Sequence, residues 1–268
     1  MSRIRAPAVA GSFYPDDPQT LMATVDRLLA EAAETGEGLR PAPKALIVPH
    51  AGYIYSGAVA AKGYRLLMPL KGRIRRVVLV GPVHHHWISG IAVPEVEAFD
   101  TPIGALPVDS DAVLTLATLP QVVFDDAPHA TEHSLEVQLP FVLRVLGEVA
   151  IVPLLVGDAS PKDVAEVLAR LWGGPETLIV VSSDLSHDQS YLAARRLDTA
   201  TAMEIETLQV GALGGGHACG CLPINGLLAE AKDRHLQVQR LDLCNSGDTA
   251  GARNQVVGYG AWAFRAAA

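Results

Sequence analysis

The chain predicts an α/β domain built on a mainly parallel central sheet with helices on both faces, and three observations predict it. Short Val/Ile/Leu-rich runs flanked by Gly, Pro or Ser read as strands buried on both faces. Longer segments of helical periodicity alternate with them, the order expected of βαβ units. The 268 residues, 49% of them hydrophobic, suffice for one extensive core, so residues 1–268 are read as a single three-layer domain.

In chain order, a helix is expected over residues 19–34, a loop over 35–43 and a strand over 45–48. A helix over 57–67 leads to a strand over 77–80, and a helix over 109–118 precedes a strand over 149–156. A helix over 161–172 then precedes a strand over 178–181. Helices over 192–207 and 222–234 flank a glycine-rich loop at 211–216, and the last strand candidate, 256–264, alternates less cleanly, so its place in the sheet stays open.

Composition narrows the partners. A formal charge of −8, from 29 acidic against 21 basic residues, gives no general attraction to nucleic-acid phosphates or anionic lipid. The basic run Lys71-Gly72-Arg73-Ile74-Arg75-Arg76 reads as a solvated turn before a strand. No nucleic-acid partner is expected, and no membrane span either, since no stretch reaches the roughly 18 consecutive apolar residues required. The N-terminal segment lacks a signal-peptide pattern, and the three cysteines, Cys219, Cys221 and Cys244, have no disulfide-framework spacing, which together predict a reducing cytoplasm.

Four histidine-bearing segments carry the chemistry. Pro49 ends a strand just before His50, and Gly81-Pro82-Val83-His84 repeats that arrangement after the next strand. Imidazole is a frequent transition-metal ligand, and strand-end histidines in an open α/β sheet sit where ligands bind. His84, His85 and His86 cannot all face one site in an extended segment, so His84 is read as the ligand, His85 as a substrate contact and His86 as structural or solvent-facing. Asp184 and His187 are three residues apart and would share a face if a helical turn begins there, with His187 as general base; an N-cap role for Asp184 or Ser183 competes with this.

In Glu132-His133-Ser134-Leu135-Glu136, which opens an amphipathic segment broken at Pro140, His133 and Glu136 are placed in or near the pocket, with helix capping as the alternative. Cys219 and Cys221 have the wrong spacing for a zinc knuckle and read as small residues at a tight turn. Cys244-Asn245-Ser246-Gly247-Asp248-Thr249 reads as a loop in which Asp248 could offer a hard ligand and Cys244 a soft one.

These segments, with Pro7-Ala8-Val9-Ala10-Gly11-Ser12-Phe13-Tyr14-Pro15 near the start, resemble the Memo family, including its bacterial and archaeal members labelled AmmeMemoRadiSam system protein B. The resemblance spans nearly the whole sequence, from Arg5 to Ala263. It implies an α/β domain similar to class III extradiol ring-cleaving dioxygenases, which hold non-haem iron(II) in a histidine-rich pocket. On that basis His50 and His84 would be metal ligands, and His187 with Asp184 would take the acid/base position. The human family member offers a cysteine as third ligand. Aligning on Ser246-Gly247-Asp248 puts Thr249 at that position, with Cys244 five residues earlier. The third ligand is therefore expected to be Asp248, completing a two-histidine, one-carboxylate triad, with Thr249 and Cys244 as alternatives. His85, Tyr53, Cys219 and Cys244 are expected to line the substrate side.

The leading expectation is a metalloprotein with iron(II), or alternatively zinc or copper, that oxidises a small chelating or aromatic substrate. Two other readings stand beside it. One is a metal or redox protein without turnover that works with a radical-SAM partner of the same system. The other is a zinc-dependent hydrolase in which Asp184, Glu132 or Glu136 activates water.

Overall fold

A computed structural model describes residues 3–32 and 42–267. Its strands are β1 (Ile4–Arg5), β2 (Ala45–Val48), β3 (Arg76–Pro82), β4 (Ile91–Val93), β5 (Ala98–Thr101), β6 (Gly104–Pro107), β7 (Val122–Phe124), β8 (Ala150–Val156), β9 (Thr177–Ser182), β10 (Gln237–Asn245) and β11 (Gly258–Arg265). Its α-helices are α1 (Pro18–Glu31), α2 (Tyr53–Arg65), α3 (Ser110–Leu114), α4 (Ala127–Ala130), α5 (Leu139–Leu146), α6 (Pro161–Leu171), α7 (Tyr191–Glu206) and α8 (Cys221–Asp233). Most of the loop expected over 35–43, and the last two residues of the helix expected over 19–34, lie outside the described residues.

The main sheet has the order β10-β11-β2-β9-β3-β8-β4-β7. Its centre, β2-β9-β3-β8, is parallel throughout. The flanks are mixed: β11 runs antiparallel to β2, and β4 runs antiparallel to β8. The central strands are buried on both faces because helices cover both. Side chains alternate accordingly: Leu46, Val48, Val77 and Leu79 join the layer of α1, α2 and α5, whereas Ala45, Ile47, Val78 and Val80 join that of α6 and α8. A second sheet, β1-β5-β6, tethers the N-terminal segment through parallel pairing of Ile4 and Arg5 with Ala98 and Phe99.

Helix starts follow local chemistry. The Asp17 side chain accepts from Thr20 N at 2.8 Å with Pro18 in the first turn of α1, and Ser160 and Asp163 cap α6 reciprocally. Three expectations need correction. The helix over 109–118 is only the five-residue α3. Pro140 does not break its segment but sits in the first turn of α5, where its missing N–H costs nothing. Residues 183–187 form no helical turn, so Asp184 and His187 do not share a helix face.

Candidate metal centre

Because β2, β9 and β3 are parallel neighbours, their carboxyl ends open on one edge of the sheet, and the chain leaving each end carries His50, Asp184 and His84. His50 is buried, and its ring lies 5.3 Å from that of His84 and 5.4 Å from that of His133. His84 and His133 stack at 4.7 Å. Ligand atoms of His50, His84 and Cys219 all lie within 4.8 Å of one another, and those of His84, Glu132 and His133 form a second such group.

The hydrogen bonds fix which imidazole nitrogens are available. Ser182 Oγ lies 2.6 Å from the Ser134 carbonyl, to which it must give its one proton, so it accepts from His50 Nδ1 at 2.9 Å. His50 Nε2 then carries the lone pair and faces Cys219 Sγ at 3.4 Å. His84 Nδ1 lies 2.9 Å from Glu132 Oε1, which leaves its Nε2 free in the same way. An imidazole oriented by a carboxylate or a fixed oxygen is the usual support for a metal ligand.

Electrostatics match. Burial, then the neighbouring His84, pushes His50 down to about 3, and burial, then His50, pushes His133 down to about 4, so both rings stay neutral with lone pairs to offer. Burial alone would raise Glu132, but the hydrogen bond and charge of His84, with the amides of His84 and Ser134, hold it at about 2. Burial, then the Asp184 charge, raises the Cys219 thiol to about 12, a proton that a bound cation would displace. Burial also raises Asp184, although its Oδ1 accepts from the His50 amide at 2.8 Å and the Ala51 amide at 3.3 Å. Imidazole nitrogen and thiol sulfur therefore converge from three chain segments, a donor set that suits a transition metal.

Two glycines make the close packing possible. A Cβ at Gly81 would lie 2.8 Å from Leu135 Cδ2 and 2.9 Å from Ser134 Oγ, and one at Gly220 would lie 2.6 Å from Ser183 Cβ. Gly81 thus lets the 132–135 segment approach β3. Gly220 seats the turn carrying Cys219 against the end of β9, where its amide donates to Ser183 Oγ at 2.9 Å.

The remaining expected residues separate clearly. Asp248 does not join His50 and His84: Tyr191 donates to its Oδ1 at 2.5 Å, and its Oδ2 accepts from the Asn245 amide at 3.2 Å. Cys219, expected as a substrate contact, instead completes a potential ligand group with His50 and His84. Neither Thr249, whose hydroxyl donates to the Ser246 carbonyl, nor Cys244, at the end of β10, joins a potential ligand group. Glu136 is also outside the pocket. It is fully buried, pairs with Arg5, and accepts from Tyr14 Oη at 2.6 Å and from the Ala8 and Val9 amides at 2.8 and 2.9 Å. Tyr53 packs on Phe141 and donates to the Val137 carbonyl at 2.8 Å, leaving no free hydroxyl for a substrate.

His187, exposed, gives its Nδ1 proton to the Leu185 carbonyl at 2.9 Å. His85 and the 80% exposed Trp87 line a cavity of about 530 Å3 together with His84 and Cys219. Two contributors lay outside the expected residues, Ser182 as the partner of His50 and Phe13, whose ring lies 4.6 Å from His133, and Glu132, expected only as a water-activating residue in the hydrolase reading, is the partner of His84. Ser182 carried a readable signal, a hydroxyl ending an otherwise apolar strand.

Comparison with known proteins bears on the family and the fold. The sequence profile of the Memo family, described as Memo-like protein, matches residues 5–263. A MEMO1 family protein of Aquifex aeolicus is 36% identical over 269 residues, covering 96% of this chain and 97% of its own. One from Thermotoga maritima is 36% identical with 95% and 97% covered, and one from Metallosphaera sedula is 32% identical with 97% and 99% covered. Among solved structures, an uncharacterized protein from Escherichia coli K12 has the same fold at a TM-score of 0.51 and 16% identity, covering 80% of this chain and 98% of its own. No helix among the described residues is long and apolar enough to cross a membrane. On the profile match and the near-full-length relatives, the chain belongs to the Memo family.

Proposed function

We propose that the protein holds iron(II) between His50, His84 and Cys219 and oxidises a small chelating or aromatic substrate in the adjoining cavity. The observation that carries this reading is the meeting of two imidazoles and a thiol, from His50, His84 and Cys219, within 4.8 Å beside an open cavity of about 530 Å3 that His84 and Cys219 line. A redox-active metal there would supply Lewis acidity and electrons for oxygen chemistry.

The protein's own residues do the rest. Glu132 and Ser182 fix the two imidazoles in the tautomer that presents Nε2. Asp184 ties the His50 and Ala51 amides to the end of β9, so the His50 ring is held from both backbone and side chain. His133, neutral and stacked on His84, is placed to hold a substrate proton. His187, its Nδ1 tied to the Leu185 carbonyl, is the second candidate for the same task.

The test is oxygen consumption by iron-loaded protein with a panel of catechol-type compounds. Uptake that disappears in His50→Ala, His84→Ala and Cys219→Ala is expected; no uptake with iron bound would overturn the proposal. One observation favours a second reading: sulfur is a softer donor than the expected carboxylate, and a site with two imidazoles and a thiolate also suits zinc or copper. Metal analysis of protein purified without added metal separates the two, since bound zinc with no oxygen uptake points to hydrolytic or non-catalytic use of the pocket.

A further inference from the structure

A second cavity, of about 240 Å3, opens between α7 and the end of β10, lined by Tyr191, Arg195, Asp198, Cys244, Asn245 and Asp248 among others. None of these residues belongs to a potential ligand group of the metal centre. The cavity has a buried floor and a wet rim. Asp198 and Asn245 are 2% and 1% exposed, whereas Arg195 and Asp248 are exposed.

The floor is incompletely satisfied. Asn245 Oδ1 accepts from the Gly247 amide at 3.0 Å, but its Nδ2 has no hydrogen-bond partner among the described residues. A buried amide donor left unmade is costly, so a residue that keeps one in the floor of a cavity calls for an explanation in what enters it. Asp198 accepts from the Ser186 amide at 3.1 Å and lies within reach of the His187 charge, but forms no ion pair with a lysine or arginine among the described residues.

The charges are equally telling. Arg195 has no ion pair among the described residues; its guanidinium lies 5.8 Å from the Tyr191 ring centre, while Arg253 stacks on the same ring at 4.6 Å. One small cavity therefore presents a guanidinium and a buried carboxylate that do not neutralise each other. Opposite charges held apart in this way are complementary to a ligand that itself carries both signs at short separation.

We propose that this cavity is a binding site for a free α-amino acid, whose ammonium group pairs with Asp198 and whose carboxylate takes the Asn245 amide and the Arg195 guanidinium. The volume admits a small or medium side chain. The carboxylate half meets a guanidinium without an ion pair and an amide donor without an acceptor, the ammonium half meets a buried carboxylate with no lysine or arginine partner, and carboxylate recognition by guanidinium plus amide is a strong pairing.

The experiment is isothermal titration of the metal-free full chain with the twenty common α-amino acids, then with the N-acetyl and carboxamide forms of any that bind. Working without metal keeps the result independent of the oxygen-chemistry reading, because amino acids also chelate metals. Binding of at least one free amino acid is expected, weakened about tenfold or more by either blocking group and by Arg195→Gln, an exposed change that leaves the fold alone. Asn245→Asp keeps the acceptor that caps Gly247 while removing the donor, and is expected to weaken binding similarly; circular dichroism checks its fold. No binding by any of the twenty at millimolar concentration, equal binding by the blocked forms, or equal binding by Arg195→Gln would each overturn the proposal.

Discussion

Glu132 and Glu136 stand four residues apart in one segment, are 2% and 0% exposed, and do unrelated jobs. The Glu132 carboxylate collects the His84 amide and ring and the His133 and Ser134 amides, so all of that carboxylate's hydrogen bonds serve the candidate metal centre. Glu136 collects Arg5, Tyr14 and the amides of Ala8 and Val9, so all of its bonds fasten the N-terminal segment. A buried carboxylate needs donors from somewhere, and which donors arrive decides whether it serves chemistry or architecture.

The comparison can be broken most severely at Glu136. Glu136→Ala leaves Arg5 buried without its partner and is expected to cost about 3–5 kcal/mol, read from urea unfolding. Metal affinity per folded molecule should change far less; an affinity loss with unchanged stability would reverse the assignment. Glu132→Gln should do the opposite, weakening metal binding about 10- to 100-fold through the loss of the His84 orienting bond, as measured by competition with a chelator.

Acidification sharpens the same contrast. His50 is held at about 3 against an ordinary 6.5, so below pH 6.5 the unfolded chain binds a proton that the folded one refuses. The metal-free protein should therefore be most stable above pH 6.5. It should lose about 1.4 kcal/mol per pH unit from His50 alone as pH falls towards 3. His133 adds in the same direction down to about 4, and Glu132, held at about 2, adds a loss only below its ordinary 4.5. A flat stability profile between pH 6.5 and 4.5 would show that the folded site accepts the charge. The smallest effect is expected from Tyr53→Phe, which removes one hydrogen bond to Val137 for about 1 kcal/mol and leaves metal affinity unchanged.

The central strands were legible because burial on both faces writes itself as an unbroken apolar run, as in Ala45–Val48 and Ala150–Val156. β1, β4 and β7 were not, being two or three residues long, and β10 was hidden because one of its faces is wet. In the site, His50 and His84 could be placed because a strand end fixes them. Cys219 could not, since its position depends on the turn before α8 docking on Ser183, a contact between residues 37 apart in sequence. Asp248 looked available as an oxygen donor only because nothing local reveals that Tyr191, 57 residues earlier, reaches its carboxylate. Glu132 and Glu136 could not be told apart without knowing where the N-terminal segment lies.

That segment has a temporal consequence. Phe13 forms part of the wall beside His133, yet the arm carrying it is fastened through Arg5 to a carboxylate 131 residues downstream. During synthesis the opening stretch can pair with β5 first but is not locked in place until the Glu136 region leaves the ribosome, and Cys219 emerges later still. A nascent chain stalled before that point therefore lacks the last member of the His50, His84 and Cys219 group, so under the proposed reading that group is completed only in the last stages of the protein's making.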